Sequence, residues 1–173
     1  MVEIEWQPKP ETPHVFTRIN EIDLQHAIWQ TSTVDNLWQK MAVDFKNAII
    51  GVRDSAYLRY RYLDHPHHHY QLLLVIGRID RQIRGLIVLR HDLNETEIMD
   101  LIGPLQVMPL LIAHARRVTG MHQKRRVFIR IPQNFAPCFT QTGGRRIGQE
   151  IPIPAPTWSQ GLHSEKLQDL WWL

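Results

Sequence analysis

The chain has 173 residues, 43% hydrophobic and 21% charged, with a formal net charge of +3. That composition belongs to a soluble globular protein with one sizeable core and excludes disorder along the whole length. No run of 18 or more apolar residues occurs, and the acidic start MVEIEWQPKPETP lacks the apolar stretch of a secretory signal, so neither a membrane span nor export is expected.

Pro8, Pro10 and Pro13 predict an extended or disordered N-terminal segment over 1–13, followed by a single domain over 14–173. His14 to Asn20 alternates apolar and polar residues, as a strand does. Asp23 can cap a helix reaching Thr31. A second helix begins at Asp35 or Asn36 and puts Leu37, Met41 and Phe45 on one face. Residues 49–70 are irregular and aromatic. Gln71 to Ile79 and Gln82 to Leu89 then read as strands joined at Asp80-Arg81, and Glu97 to Ile102 completes an antiparallel meander after a turn at Asn94-Glu95. Gly103-Pro104 breaks the chain before an amphipathic helix from Gln106 to Val118, with Gly120 placed as its C′ residue. Arg126 to Ile131 is a further strand, and Phe135 to Thr142 a short helix ended by Gly143-Gly144. Pro152, Pro154 and Pro156 restrict their segment to an edge or loop, and 164–170 reads as a last short helix. Trp158, Trp171 and Trp172 would close the core or mark an interface such as that of a homodimer.

Charge is unevenly placed. The acids Glu3, Glu5, Glu11, Glu21, Asp23 and Asp35 crowd the start, whereas no acid occurs between Asp100 and Glu150. That stretch carries Arg116, Arg117, Lys124, Arg125, Arg126, Arg130, Arg145 and Arg146, either a field suited to a polyanion or a solvated basic face.

The order of elements (strand, two helices, three antiparallel strands, helix, strand, helix, strand) resembles the GNAT acyl-CoA N-acyltransferase superfamily. Ser55 to Tyr70, SAYLRYRYLDHPHHHY, is similar to a segment of the form YLxWRYxxHPxxxY in a bacterial branch of it, with Tyr60 where Trp is usual. The resemblance implies an α/β (α+β) fold with a mixed, mostly antiparallel twisted sheet flanked by helices. It also implies an N-acyltransferase that uses acetyl-CoA or another acyl-CoA and acts on a small-molecule or peptide amine; the start without a signal and the single cysteine make the cytoplasm the default compartment.

In such a fold the cofactor enters a V-shaped opening between the strand ending near Leu101 and the strand Arg126 to Ile131. Its pantetheine would pair with the backbone of Met99, Leu101 and Ile102. Its pyrophosphate would rest on Gly103, Leu105, Gln106, Val107 and Met108, where free amides and a helix dipole favour anions. Arg116 and Arg117 are further candidates for the phosphates. Asp100 is the preferred general base and Glu97 the other candidate, on opposite faces by their odd separation.

The sequence also departs from that pattern. The superfamily loop Arg/Gln-x-x-Gly-x-Gly/Ala is missing: Pro104 removes a donor, and Val107 and Met108 add bulk. The tyrosine usual four residues before the glycine ending the last helix is Phe139 counted from Gly143, or Thr140 from Gly144. These departures support a second reading, a catalytically degenerate GNAT-like module for binding or assembly.

Other groupings carry less. His65, His67, His68 and His69 read as an exposed loop rather than a metal site. In the 57–62 run Tyr60 and Tyr62 are expected to pack inward, with Arg59 and Arg61 outside. No helix-turn-helix, RNP or KH pattern occurs, so nucleic acid is not the expected partner. Cys138, the single cysteine, can form no internal disulfide and reads as a buried small hydrophobe.

Overall fold

The computed structural model describes residues 1–10, 14–46, 48–148 and 171–172. Seven strands form one sheet: β1 (Val2–Trp6), β2 (Thr17–Ile22), β4 (Gln71–Gly77), β5 (Ile83–His91), β6 (Glu95–Ile102), β7 (Arg126–Ile131) and β8 (Arg145–Ile147). Their order across the sheet is β2-β4-β5-β6-β7-β1-β8, and every neighbouring pair is antiparallel except β6 with β7. A separate parallel pair joins β3 (Ile49–Ile50) to β9 (Trp171–Trp172).

The sheet carries helices on both faces. On one, α3 (Met108–Met121) and the short α4 (Ala136–Thr140) cover Leu73, Val75, Ile87 and Leu89 with Leu111, Ile112, Ala115 and Phe139. On the other, α1 (Thr33–Asp44) and α2 (Ser55–Leu58), which runs on as a π turn over Arg59–Leu63, cover Leu72, Leu74, Leu86 and Val88 with Val34, Leu37, Leu58 and Tyr62. Leu86 to Leu89 are all fully buried, so β5 reads as one continuous apolar run, as a strand covered on both faces must.

The N-terminal segment differs most from its expectation. Within 1–13, Val2–Trp6 is not a loose extension but an interior strand between β7 and β8, with Val2, Ile4 and Trp6 buried and Glu3 and Glu5 on the other face. The prolines begin only after it. Instead of a helix from Asp23, a single 3-10 turn forms at Ala27–Gln30, capped by the His26 ring. Helix α1 starts at Thr33, ahead of Asp35, whose carboxylate accepts from Ser55 N at 2.8 Å and so joins α1 to α2.

Gly120 lies inside α3 rather than beyond it. A Cβ there would sit 2.6 Å from the Pro10 ring, so glycine serves the crossing of the N-terminal chain, and Gln123 (φ 55°) takes the left-handed position instead. The β4–β5 connection runs over 78–82, with Arg81 at φ 55°. The expected C-terminal loop and the helix over 164–170 lie outside the described residues.

Because Ile4 is fully buried in the interior strand, Ile4→Ala should lower stability by about 2–5 kcal/mol in urea denaturation. A loss below about 0.5 kcal/mol would mean that β1 is not part of the folded sheet.

Candidate active site

Parallel pairing of β6 with β7 runs from Glu95↔Arg126 to Ile98↔Ile129 and stops, although β6 continues to Ile102 and β7 to Ile131. The opening expected after residue 101 therefore begins three residues earlier. At the same place the β5–β6 ladder slips: Leu89 faces Ile98 but Val88 faces Asp100, so Met99 is an extra, bulged residue.

The bulge changes which side chains share a face. Ile98 and Leu101, three apart, both enter the α3-side core, while Met99 packs on the α1–α2 side. Glu97 and Asp100 consequently lie on the same face, not on opposite ones. Parity counting fails because it assumes an unbroken pleat.

Asp100 is 5% exposed and accepts three hydrogen bonds. Its Oδ1 accepts from Arg53 Nε at 2.8 Å and from Leu101 N at 3.1 Å, and its Oδ2 accepts from the Tyr62 hydroxyl at 3.2 Å. Arg53, 4% exposed, also donates from Nη1 to Gly51 O at 2.7 Å. Burial pushes the Asp100 carboxyl above its ordinary pKa, while the Arg53 guanidinium, the Tyr62 hydroxyl and the Leu101 amide pull it down. Burial likewise raises the Tyr62 phenol. Arg53 was missed from sequence; the one local signal is Asp54 beside it, which caps α2 through Tyr57 N.

Glu97, 6% exposed, belongs to a lattice of ion pairs. It meets Arg130 at 2.8 Å and Arg90 at 2.5 Å, Arg126 meets Glu3 and Glu95 at 2.8 Å, and Arg145 meets Glu5 at 2.8 Å. Phe128 is sandwiched beneath the Arg126 and Arg130 guanidiniums, 4.6 and 4.9 Å from its centroid. The early acids thus neutralise arginines of the stretch that lacks acids, and the expected one-signed field is partly cancelled within the fold.

The loop after β6 departs from an anion cradle more than its sequence suggests. Gly103 takes φ 155°, and a 3-10 turn at Leu105–Val107 leads into α3. Leu105 N donates to Asp44 Oδ2 at 2.7 Å, Val107 N to Pro104 O at 3.0 Å, and Met108 N to Leu105 O. Pro104 and Pro109 have no N–H. A pyrophosphate would find the Leu105 amide already on a carboxylate, so the loop as folded does not fit that group.

Val34 and Leu37 of α1 belong to the α1–α2 core, yet Met41 and Phe45 join the α3-side core. There Phe45 meets Phe135 edge-on with centroids 5.5 Å apart. Leu101, Ile102 and Met108 are buried as well.

Other expected residues fall elsewhere. Arg116 and Arg117 lie eight and nine residues into α3, about 12 Å or more from its start at 1.5 Å per residue, too far to serve the loop. Phe139, 1% exposed, packs edge-on to Trp6 and has no proton to donate. Cys138 is exposed rather than buried, because α4 turns Ala136 and Phe139 inward. Tyr62 packs inward but Tyr60 is 81% exposed, since the run is helical and not alternating. His65 Nδ1 accepts from His67 N and His68 N, closing a turn. Among the described residues no cluster fit for a metal occurs, and no helix is long and apolar enough to cross a membrane.

Solved structures share this architecture. A conserved Enterococcus faecalis protein described as a probable N-acyltransferase aligns with a TM-score of 0.58 at 8% identity, over 84% of this chain and 36% of that one. A GCN5-related N-acetyltransferase from Sphaerobacter thermophilus gives 0.50 at 9% identity, over 84% and 48%. An aminoglycoside acetyltransferase from an uncultured soil metagenomic sample, solved with sisomicin, gives 0.51 at 12% identity, over 83% and 97%. The chain thus spans 36% and 48% of the length of the first two. Neither a family model nor a curated protein matches the sequence. At these identities the likeness defines the fold, which is that of the GNAT acetyltransferases.

Removing Arg53 would strand a buried carboxylate. Arg53→Met should cost about 3–5 kcal/mol at pH 7, part of it recovered in the Arg53→Met/Asp100→Leu double variant. Without the guanidinium, the folded-state pKa of Asp100 stands above its ordinary 3.8. The folded state then holds the proton more tightly, so the deficit is small below about pH 4 and grows as pH rises. Denaturant titrations between pH 3.5 and 7 check this; a deficit independent of pH would contradict it.

Proposed function

We propose that the chain is an N-acyltransferase of the GNAT type, moving an acyl group from a coenzyme A thioester to an amine. The observation that carries this reading is the parting of β6 from β7 beyond Ile98 and Ile129, which among the described residues leaves one edge of 99–102 without a strand partner. Acyl-CoA bound there would supply an activated carbonyl. The likeness to acetyltransferase structures supports the same class.

In this reading the amine approaches the face shared by Glu97 and Asp100. Asp100 is the base beside the opening: burial raises its proton affinity, and a carboxylate has about four lone-pair sites, of which three are used here. Arg53 and Tyr62 hold it in place. Because Asp44 occupies the Leu105 amide, the phosphates must be held by other groups or must displace that carboxylate.

That same contact favours a second reading, a module that keeps the fold for binding or assembly without coenzyme A. Titration calorimetry with acetyl-CoA, paired with thiol release over an amine panel that includes aminoglycosides, separates the two. The first predicts saturable heat and thiol release, with affinity improved about tenfold by Asp44→Ala, which frees the Leu105 amide, and turnover lost in Asp100→Asn. No heat at millimolar acetyl-CoA, in either the native chain or Asp44→Ala, would leave the second.

A further inference from the structure

The α3 side of the sheet holds a cavity of about 380 Å³, remote from the strand opening. The chain after β1 builds it by crossing α3. Arg116 Nε donates to Gln7 O at 2.9 Å, Lys9 N donates to Arg116 O at 3.1 Å, and Pro10 rests on Gly120. His14 to Phe16 then return toward β2 along its other side.

The cavity's charged lining residues are all cations. Lys9, Arg116 and Arg117 reach it with the imidazoles of His14 and His114, and among the described residues no acid does. Elsewhere in the molecule Arg126, Arg130 and Arg145 are matched by glutamates, so the contrast is local. Burial lowers the Arg116 pKa with no acid opposing it. His114 is held down to about 4 by burial, then by His14, Arg117 and Arg78, and is neutral at pH 7.

Polar atoms here also lack partners. His114 is 2% exposed; its Nε2 lies 2.8 Å from Thr17 Oγ1, while its Nδ1 has no hydrogen bond. Thr17 Oγ1 also meets His14 Nδ1 at 2.9 Å, so the hydroxyl bridges the two rings, donating to one and accepting an N–H from the other. The Nε of Arg117 is buried without an acceptor. Desolvated cationic and polar groups left in this state cost stability unless something meets them. At the rim, Val15 and Phe16 are 75% and 67% exposed, an apolar shoulder beside the charges.

We propose that this cavity is a binding site for a small organic anion, a phosphate or carboxylate borne on an apolar group. Its acidic head lies among Lys9, Arg116 and Arg117, and its apolar body covers Val15 and Phe16. The volume is in the range of small-molecule sites. The site is independent of the acyl-transfer reading, because it shares no residue with the β6–β7 opening or the 103–108 loop.

The test is calorimetry on the full chain at low salt with phenyl phosphate, benzoate, inorganic phosphate and benzyl alcohol. It is joined by NMR of the His114 ring nitrogens. Phenyl phosphate or benzoate should bind saturably and shift the His114 resonances, inorganic phosphate more weakly and benzyl alcohol not at all. Arg117→Gln and Lys9→Gln should each weaken binding about tenfold or more, and Lys40→Gln, on the exposed side of α1, should leave it unchanged. Melting curves establish that each variant folds, and Lys9→Gln, at the surface crossing, stands in if Arg117→Gln does not. Absence of saturable binding at millimolar concentrations overturns the proposal. An equal loss in Lys40→Gln does so too, by showing unspecific charge attraction. Binding that appears only in Glu11→Gln also overturns it, since the chain's own acid would then be the occupant.

Discussion

Parallel pairing between β6 and β7 ends at Ile98 and Ile129, and Met99, the extra residue of a bulge, follows at once. A strand hydrogen-bonded on both edges has no main chain to offer a ligand; one released on a single edge does. The bulge adds a rotation that brings Asp100 onto the face of Glu97 and sends Leu101 back into the α3-side core. The position of the opening, the residues beside it and the face they present all follow from that one irregularity.

Holding such an opening requires ties across it, and two are polar. Asp100 is bound by Arg53 from the segment before α2 and by Tyr62 from the π turn, so β6 is fixed to the helical layer where β7 has left it. Asp44, at the end of α1, holds the loop after β6 through Leu105 N. Met41 of the same helix and Phe45 at its C-cap join the α3-side core. These contacts stabilise the opening and also compete with anything that would enter it, which is why one architecture supports both a transferase reading and a non-catalytic one. Fold alone does not decide chemistry.

Much of the fold was legible because its signals are local. The β4–β5–β6 meander and β7 follow from apolar runs and turn residues, and α3 from its periodic apolar face. Strand β1 carries alternation too, Val2, Ile4 and Trp6 against Glu3 and Glu5, but the prolines after it masked that signal. What could not be read depends on distant partners. Met99 is an ordinary strand residue until β5 sets its register. Gly120 imitates a helix terminator until Pro10 is seen lying on it. The site was legible only as a neighbourhood: Asp100 and Glu97 were named, but Arg53, Tyr62 as a partner, and Asp44 on the loop amide all require contacts between residues 38 to 61 positions apart. Arg116 and Arg117 were grouped with the loop by charge and separated from it by the length of α3.

The parting of β6 and β7 can be observed directly. Cross-strand nuclear Overhauser effects between backbone protons of the native chain should link 95–98 with 126–129 and be missing between 100–102 and 130–131. Continuous effects along the full length of both strands would show an unbroken ladder, and the opening on which the functional reading stands would not exist.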